Sequence, residues 1–260
     1  MEIDGVRVHG ESGPPVLLLP GGAESCDGFF PGLVEGLVAD PGARVVVHDR
    51  PGTGTSTVDG SVAGAVAHLA SLVERLALGP VVAVGQSLGG AVGVLLARDR
   101  PDLLAGLVLL DPTPINDARV CASIERMTAV LAKLSAVPGL RRVLAEALRR
   151  SARRTARRRD LRPDCAAALE RTADLDIPTL ARAVRGLTDV ARTVREPDLP
   201  RLPSVVVTAD RKPDHAVHRA HERLATAFGA RLVSWPGATH SVHLDHPGEV
   251  LATVRGIVGS

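Results

Sequence analysis

Val-Gly-Gln-Ser-Leu-Gly-Gly, residues 84–90, is the stretch that decides the fold of this chain. It contains Gly-x-Ser-x-Gly, follows the apolar run 81–84 and precedes a helical pattern over 88–99. Between a strand and a helix, this motif holds its serine on a sharp turn, and small residues let the backbone pass close by. The motif therefore predicts that the Ser87 hydroxyl projects above a sheet, before a helix N-terminus that favours negative charge. A Gly-Ser turn formed by chance is the alternative interpretation.

Short apolar, β-branched runs recur along the chain and predict buried parallel strands. They occupy residues 16–19, 45–48, 81–84, 107–110, 205–208 and 231–234. Helical patterns separate several of these runs, for example over 62–76 and 217–228. Alternating strands and helices predict an α/β fold with a mostly parallel, doubly wound sheet that carries helices on both faces.

The strand pattern disappears between Thr113 and Pro203. Three apolar stripes at helical spacing replace it. Their members are Ile124, Met127, Leu131 and Leu134; Val143, Ala147 and Leu148; and Leu180, Val184, Leu187 and Val194. We therefore expect a helical insertion at 113–203, with 1–112 and 204–260 forming the core of the fold.

The insertion is rich in arginine. Ten arginines lie between residues 141 and 162, against Glu146 and Asp160. The simpler interpretation is a solvated helix face, because charge runs usually are one. The alternative is a surface for an acidic partner or a phosphate-bearing substrate, since guanidinium groups pair bidentately with such anions.

Composition excludes several classes of protein. The 260 residues are 45% hydrophobic and 23% charged, which is enough to bury a core. The net charge is only +2, and the chain has no tyrosine, three phenylalanines and one tryptophan. We expect no nucleic-acid partner, because aromatic platforms for base stacking are scarce.

The cysteines and the apolar runs indicate where the protein resides. Cys26, Cys121 and Cys165 are widely spaced, which favours neither a disulfide framework nor a cysteine-rich zinc site. No run reaches the roughly 18 to 20 apolar residues that span a bilayer, and residues 1–4 lack the order of a secretory signal. We expect a cytoplasmic protein with no membrane partner.

Four segments of the chain form a recognisable series. They are Leu-Leu-Leu-Pro-Gly-Gly at 17–22, His-Asp-Arg-Pro-Gly-Thr-Gly-Thr-Ser at 48–56, the serine turn at 84–90, and Gly-Ala-Thr-His at 237–240. In this order they resemble the α/β-hydrolase fold family, and the resemblance extends over nearly the whole chain. The resemblance implies that the insertion caps an active site. It also implies a catalytic serine at Ser87.

A serine nucleophile needs a base and donors for the oxyanion that its attack creates. Among nine histidines, His240 is the base by resemblance. The oxyanion donors would be the backbone N–H groups of Gly22 and Leu88. Pro20 stands where the family usually has a histidine, which leaves these donors intact but changes how the loop is braced.

The acid of the triad is the member at which this chain departs from the family pattern. Family members commonly end the penultimate core strand with Gly-x-x-Asp, whereas this chain has Lys212 in the acid's place. A cation there does not orient an imidazole N–H. Asp111, Asp210 and Asp214 are the alternatives, and Asp111 is favoured because some family members carry the acid after the earlier strand. The other interpretation of Asp111 is a turn-capping residue.

The remaining histidines predict no metal site. His215, His218 and His221 are spaced by three, but no acidic or cysteine ligand is patterned with them, so we expect them to face solvent. We place His243 and His246 at a helix entry or on the surface.

The leading hypothesis is a cofactor-independent serine hydrolase that cleaves an ester, thioester or lactone of a small acyl molecule. Haloalkane dehalogenases and epoxide hydrolases resemble the chain but use an aspartate nucleophile. Two alternatives keep the fold: a catalytically weak binding protein that docks an acidic carrier protein on its arginine-rich cap, and a lyase or cyclase in the same pocket. With few aromatic residues, the pocket should be mostly aliphatic.

Overall fold

The computed structural model describes residues 5–56, 60–174 and 176–259, so residues 1–4, searched above for a signal, lie outside it. Seven strands form one sheet in the order β1-β3-β2-β4-β5-β6-β7. They are β1 Val6–His9, β2 Pro15–Leu19, β3 Arg44–His48, β4 Val81–Gln86, β5 Leu104–Leu110, β6 Ser204–Thr208 and β7 Arg231–Ser234. All neighbouring pairs are parallel except β1 and β3, which are antiparallel.

Helices cover both faces of the sheet. They are α1 Leu33–Ala39, α2 Val62–Leu76, α3 Ser87–Asp99, α4 Ala118–Ser135, α5 Pro138–Arg158, α6 Pro163–Thr172, α7 Ile177–Ala183, α8 Leu187–Thr193, α9 Ala216–Phe228, α10 Val242–Asp245 and α11 Pro247–Val258. One buried cluster packs α2, α3 and α9 against one face, and another packs α1 and α11 against the opposite face. Within β2, Leu17 and Leu19 belong to the first cluster and Val16 and Leu18 to the second, as strand periodicity requires. The predicted doubly wound α/β sheet is confirmed.

Helices α4 to α8 connect β5 to β6 within the predicted insertion. The apolar stripe predicted on α4 is not buried throughout, because Met127 is 59% exposed and Leu134 is 41% exposed. Helix α4 packs on α7 and α8 and buries Cys121, Thr128 and Ser135, whereas Met127 and Leu134 stay exposed. The boundaries of the insertion as a separate domain stay a prediction.

The stripe predicted on α5 lies on a helix but is exposed. Val143 is 64% and Leu148 is 44% exposed. Ala152 and Ala156 are buried instead, and small residues there suit the close packing of α5 on α6. Across the described ranges, no helix combines the length and hydropathy needed to cross a bilayer.

Candidate active site

Ser87 lies at the junction of β4 and α3 in a left-handed backbone conformation, with φ of 50°. Such a conformation costs free energy for a residue with a side chain, so the surrounding packing must impose it. A Cβ on Gly89 would lie 2.1 Å from the Leu19 carbonyl oxygen, and one on Gly85 would lie 2.6 Å from the Gly89 oxygen. Two glycines therefore let the strand and the helix approach closely enough to form the predicted sharp turn.

The structure brings Ser87, His240 and Asp111 together. The Ser87 Oγ lies 2.9 Å from Nε2 of His240, and Nδ1 of His240 lies 2.6 Å from Oδ2 of Asp111. The carboxylate fixes the tautomer, because it accepts from Nδ1–H and leaves Nε2 to accept from the serine hydroxyl. This chain of hydrogen bonds can deprotonate a serine for attack on a carbonyl carbon.

Asp111 follows β5 and is only 1% exposed. Its Oδ1 accepts from the backbone N–H of Ala209 at 2.8 Å, and Arg211 binds both carboxylate oxygens, with Nη2 2.7 Å from Oδ2. Burial opposes ionisation, but the hydrogen bonds from Arg211 and His240 outweigh it and hold the pKa of Asp111 well below its usual 3.8. A buried carboxylate that stays ionised can orient an imidazole.

The other acid candidates lie elsewhere. Asp210 is exposed, and its Oδ2 accepts from the backbone N–H of Gly237 at 2.8 Å. Asp214 and Lys212 are also exposed. The cation of this segment that binds the Asp111 carboxylate is Arg211, which sequence reasoning overlooked. Its signal was the combination of an aspartate after β5 with an arginine after the neighbouring strand β6.

Arg50 braces the loop that carries Gly22. Its Nη1 donates to the carbonyl oxygen of Pro20 at 2.9 Å and its Nη2 to that of Gly22 at 2.7 Å. The side chain is 3% exposed, and burial lowers its pKa to about 10. Sequence reasoning quoted Arg50 within a motif but assigned it no role. The Arg50 guanidinium thus holds the loop of Gly22 in place, although Pro20 stands where the family usually has a histidine.

Gln86 ties the serine turn to the histidine loop. Its Nε2 donates to the carbonyl oxygen of His240 at 2.8 Å, and the side chain is 3% exposed. Sequence reasoning did not identify Gln86, which occupies an unspecified position of the Gly-x-Ser-x-Gly pattern. Its partner His240 lies 154 residues later in the sequence, so no local sequence pattern identifies Gln86.

His221, which was predicted to face solvent, is buried, and so is His243, which lies at the entry to α10 as one of its two predicted placements had it. His221 has no exposed area; its Nε2 lies 2.7 Å from the Pro112 carbonyl oxygen and its Nδ1 2.9 Å from the Thr208 hydroxyl. Nε2–H therefore donates to Pro112, the Thr208 hydroxyl donates to Nδ1, and burial lowers the pKa of His221 to about 4. His243 is 5% exposed and stacks on Phe29 at 4.6 Å between ring centroids, and burial lowers its pKa to about 3.

These burials follow from amphipathic helices whose inward faces include imidazole. On α9, His221 shares the buried face with Ala220 and Leu224, while the preceding His215 is exposed and His218 is partly buried. Within the described ranges, no cluster of three or more histidine, cysteine or carboxylate side chains is placed to hold a metal ion.

A cavity of about 390 Å³ opens in front of Ser87. Gly22, Leu88 and His240 line it from the sheet side. The helices of the insertion contribute a second part of the wall, through Ile124, Met127, Thr128, Thr172, Leu180 and Val184. Four of these six side chains are apolar, so this part of the cavity suits an apolar group.

Glu24 is an ionisable side chain in the wall of this cavity. Its Oε2 lies 2.8 Å from the Thr172 hydroxyl. Burial raises its pKa from 4.5 to about 7, against the opposing effects of Thr172 and Arg171. The carboxyl group therefore titrates near neutral pH.

A family model described as the alpha/beta hydrolase family matches residues 16–254. The chain belongs to that family. In this alpha/beta hydrolase, the match runs from β2 to α11, and it therefore includes Ser87, Asp111 and His240.

Individual relatives carry esterase and lipase names. The alpha/beta hydrolase chain is 37% identical to Lipase LipV of Mycobacterium tuberculosis over 128 residues, 48% of each chain, and spans about half the length of several curated relatives. It is 26% identical to Esterase Rv0045c of the same organism, over 96% of this chain and 84% of that one. The solved structure of a thermophilic esterase from Thermogutta terrifontis has a TM-score of 0.73 at 24% identity, over 96% and 91% of the two chains, which shows a shared fold.

Proposed function

We propose that this alpha/beta hydrolase cleaves a carboxylic ester, thioester or lactone through an acyl-enzyme on Ser87. The observation that carries the proposal is the continuous hydrogen-bond chain from Ser87 Oγ to His240 Nε2, at 2.9 Å, and from His240 Nδ1 to Asp111, at 2.6 Å. The esterase and lipase names of relatives support the same reaction class.

The reaction proceeds in two half-reactions. As Ser87 Oγ attacks the carbonyl carbon, His240 Nε2 takes the hydroxyl proton, and the carbonyl oxygen becomes an oxyanion. His240 then gives that proton to the leaving alcohol or thiol, and the acyl group remains on Ser87. Water repeats the cycle with His240 as base and releases the acid, while Asp111 stays ionised and holds the imidazolium.

The backbone N–H groups of Gly22 and Leu88 are the proposed oxyanion donors. Both residues line the cavity that contains Ser87, and Arg50 holds the loop of Gly22 through two carbonyl groups. Donors fixed in advance stabilise the developing charge without reorganisation, and one such donor contributes about 10²- to 10³-fold to the rate.

The substrate class follows from the cavity wall. Aliphatic side chains of α4 and α7 face the reacting serine, so we propose small molecules with aliphatic acyl or alcohol groups as substrates. No cofactor enters this mechanism, since the nucleophile, the base and the acid are side chains of the chain itself.

The alternative of a catalytically weak binding protein is not favoured. Its best support was Lys212 in place of the acid. Lys212 is exposed, whereas Asp111 accepts from His240 Nδ1–H. A lyase or cyclase reaction uses the same pocket, and the experiment below separates it from hydrolysis by its product.

Hydrolysis of p-nitrophenyl esters of increasing chain length tests the proposal. We expect Ser87→Ala to abolish turnover, Asp111→Asn to lower kcat by about 10³- to 10⁴-fold, and the matched control Asp210→Asn to retain activity. A fluorophosphonate probe should label the wild type and not Ser87→Ala. An unlabelled wild type, or label and turnover that survive in Ser87→Ala, would contradict the serine mechanism.

A further inference from the structure

The outer surface of α4 and α5 carries most of the exposed large apolar side chains in the described part of the chain. We call residues 118–158 the α4–α5 pair. Six of the seven such side chains lie on it, and each is 41–64% exposed. They are Met127, Val130, Leu134, Val137, Val143 and Leu148. Exposed large apolar side chains are thus concentrated in one segment, which is unusual for a surface that contacts only water.

The same segment holds a strong positive charge. The α4–α5 pair contains eleven arginine or lysine residues and two glutamates, a net charge of +9. The whole chain has a net charge of +2, so the remainder has a net charge of −7. The charge is therefore segregated on one part of the molecule rather than spread evenly over it.

Several of these arginines have no acidic partner within the described ranges. Arg149, Arg150 and Arg153 pair with Asp174, Glu146 and Glu170. Five other exposed arginines of α5 make no ion pair with a described residue. They are Arg141, Arg142, Arg154, Arg157 and Arg158. Their guanidinium groups are available to external anions.

Helical spacing places the apolar groups and the cations side by side. On α4, Met127, Val130 and Leu134 are three and four residues apart and therefore share one exposed face, distinct from the buried face of Cys121 and Thr128. On α5, the exposed Val143 lies among arginines, while buried alanines face α6. The surface thus combines aliphatic side chains with unpaired positive charge.

We propose that the α4–α5 pair docks on the surface of an anionic lipid bilayer. Aliphatic side chains enter the boundary between headgroups and acyl chains, and arginines pair with lipid phosphates. The expectation of no membrane partner rested on the absence of a spanning segment, and docking from one side needs none.

The position of the cavity favours lipid over an acidic protein as the occupant. Met127 is exposed on the surface of α4 and also lines the cavity that contains Ser87. Ile124 and Thr128, on the same helix, line that cavity as well. A docked surface therefore adjoins the cavity, and an aliphatic ester dissolved in the bilayer reaches it without crossing water. This last step rests on the proposed function, whereas docking does not.

Co-sedimentation with vesicles tests docking on the catalytically silent Ser87→Ala protein. We expect binding to phosphatidylcholine vesicles that contain phosphatidylglycerol to be at least about tenfold tighter than to pure phosphatidylcholine, and to weaken in high salt. Arg154, Arg157 and Arg158 changed to Gln, or Val130, Leu134 and Val137 changed to Ser, should each lower binding at least about tenfold.

Two matched controls separate the surface from general charge and hydrophobicity. Arg185, Arg195 and Arg201, exposed and outside the α4–α5 pair, are changed together to Gln, and Val8, 41% exposed on β1, is changed to Ser. Both controls should bind like the parent. Circular dichroism checks that each variant is folded.

No binding to either vesicle, or binding that both triple variants leave unchanged, would overturn the proposal. In that case, binding to polyglutamate would assign the surface to an acidic protein, and a concentration-dependent sedimentation coefficient would assign it to a second copy of this chain. In the Ser87-containing protein, the triple variants should slow hydrolysis of a vesicle-dissolved long-chain ester and not of a soluble short-chain ester. Equal slowing of both would contradict delivery from the bilayer while leaving docking and hydrolysis intact.

Discussion

Arg211 distinguishes this site at the level of single residues. Its guanidinium donates to both oxygens of Asp111, so the carboxylate accepts hydrogen bonds from Arg211 and from the His240 imidazole at the same time. Such a bidentate pair fixes the plane of the carboxylate, which in turn fixes the ring of His240. We therefore regard Arg211 as a positioning residue.

Replacing Arg211 with Met tests this role. Without the guanidinium, the buried carboxylate loses a fixed orientation and a stabilising charge, so the pKa of Asp111 should rise. We expect kcat for a p-nitrophenyl ester to fall about tenfold or more with KM nearly unchanged, because geometry and not binding is altered.

Arg219→Met, on the exposed side of α9, is the matched control for Arg211→Met. It should leave both constants unchanged. A rise in KM at constant kcat in Arg211→Met would instead mean that Arg211 binds substrate, since it also lines the cavity.

Sequence reasoning found the residues of the site that belong to local patterns. Ser87 and His240 came from motifs, and Asp111 came from the resemblance to family members that carry the acid after the earlier strand. Arg50 and Gln86 were missed because their partners lie far away along the chain. Long-range pairing of polar side chains leaves no periodicity that a sequence can display.

At the scale of elements, the junction of β4 with α3 depends on close backbone contact. The predicted strands from β2 to β7 lie within about three residues of the observed ones, because continuous apolar runs define buried strands clearly. The edge strand β1 was not predicted, since Val6–His9 is short, half polar and mostly exposed. Helix α4 shows a limit of this reasoning, because its apolar stripe includes the exposed Met127 and Leu134. Helical periodicity identifies apolar positions on a helix, but it does not indicate which of them a neighbouring helix covers.

Gly89→Ala should prevent the native junction from forming. The added methyl would meet the Leu19 carbonyl oxygen at 2.1 Å, and neither backbone can move without disrupting the sheet. We expect a loss of several kcal/mol in the free energy of unfolding, or no folded protein.

Gly64→Ala is the matched control for Gly89→Ala. Gly64 lies in the first turn of α2 with nothing within 4 Å of its added Cβ, so the change should stabilise the protein by up to about 1 kcal/mol. Urea unfolding measures both variants. Equal stability of the two alanine proteins would contradict the close contact at the junction.

On the scale of the whole molecule, Glu24 couples stability to pH. Its folded pKa of about 7 exceeds the usual 4.5, so the folded state favours the neutral carboxyl. The contribution of Glu24 to stability is full below pH 4.5 and is lost as the pH rises through 7.

Glu24→Gln should therefore stabilise the protein relative to wild type as the pH rises. Between about pH 5 and about pH 8, we expect the difference in unfolding free energy to grow by on the order of 2 kcal/mol in favour of the variant. Urea unfolding at several pH values measures it, and Glu35→Gln on the exposed side of α1 is the control. Parallel curves for wild type and Glu24→Gln would show that Glu24 does not titrate in this range.

The connection that follows β5 limits where this fold can be recombined. The Thr113 N–H donates to the Ser87 carbonyl oxygen, Pro112 accepts from His221, and Ile115 has no exposed area. Residues 111–115 thus pack into the site around Ser87, although the predicted insertion already begins at Thr113. A chimera that takes the insertion helices from a relative should be spliced after Ile115, because an earlier crossover would also replace residues that pack around Ser87 and Asp111.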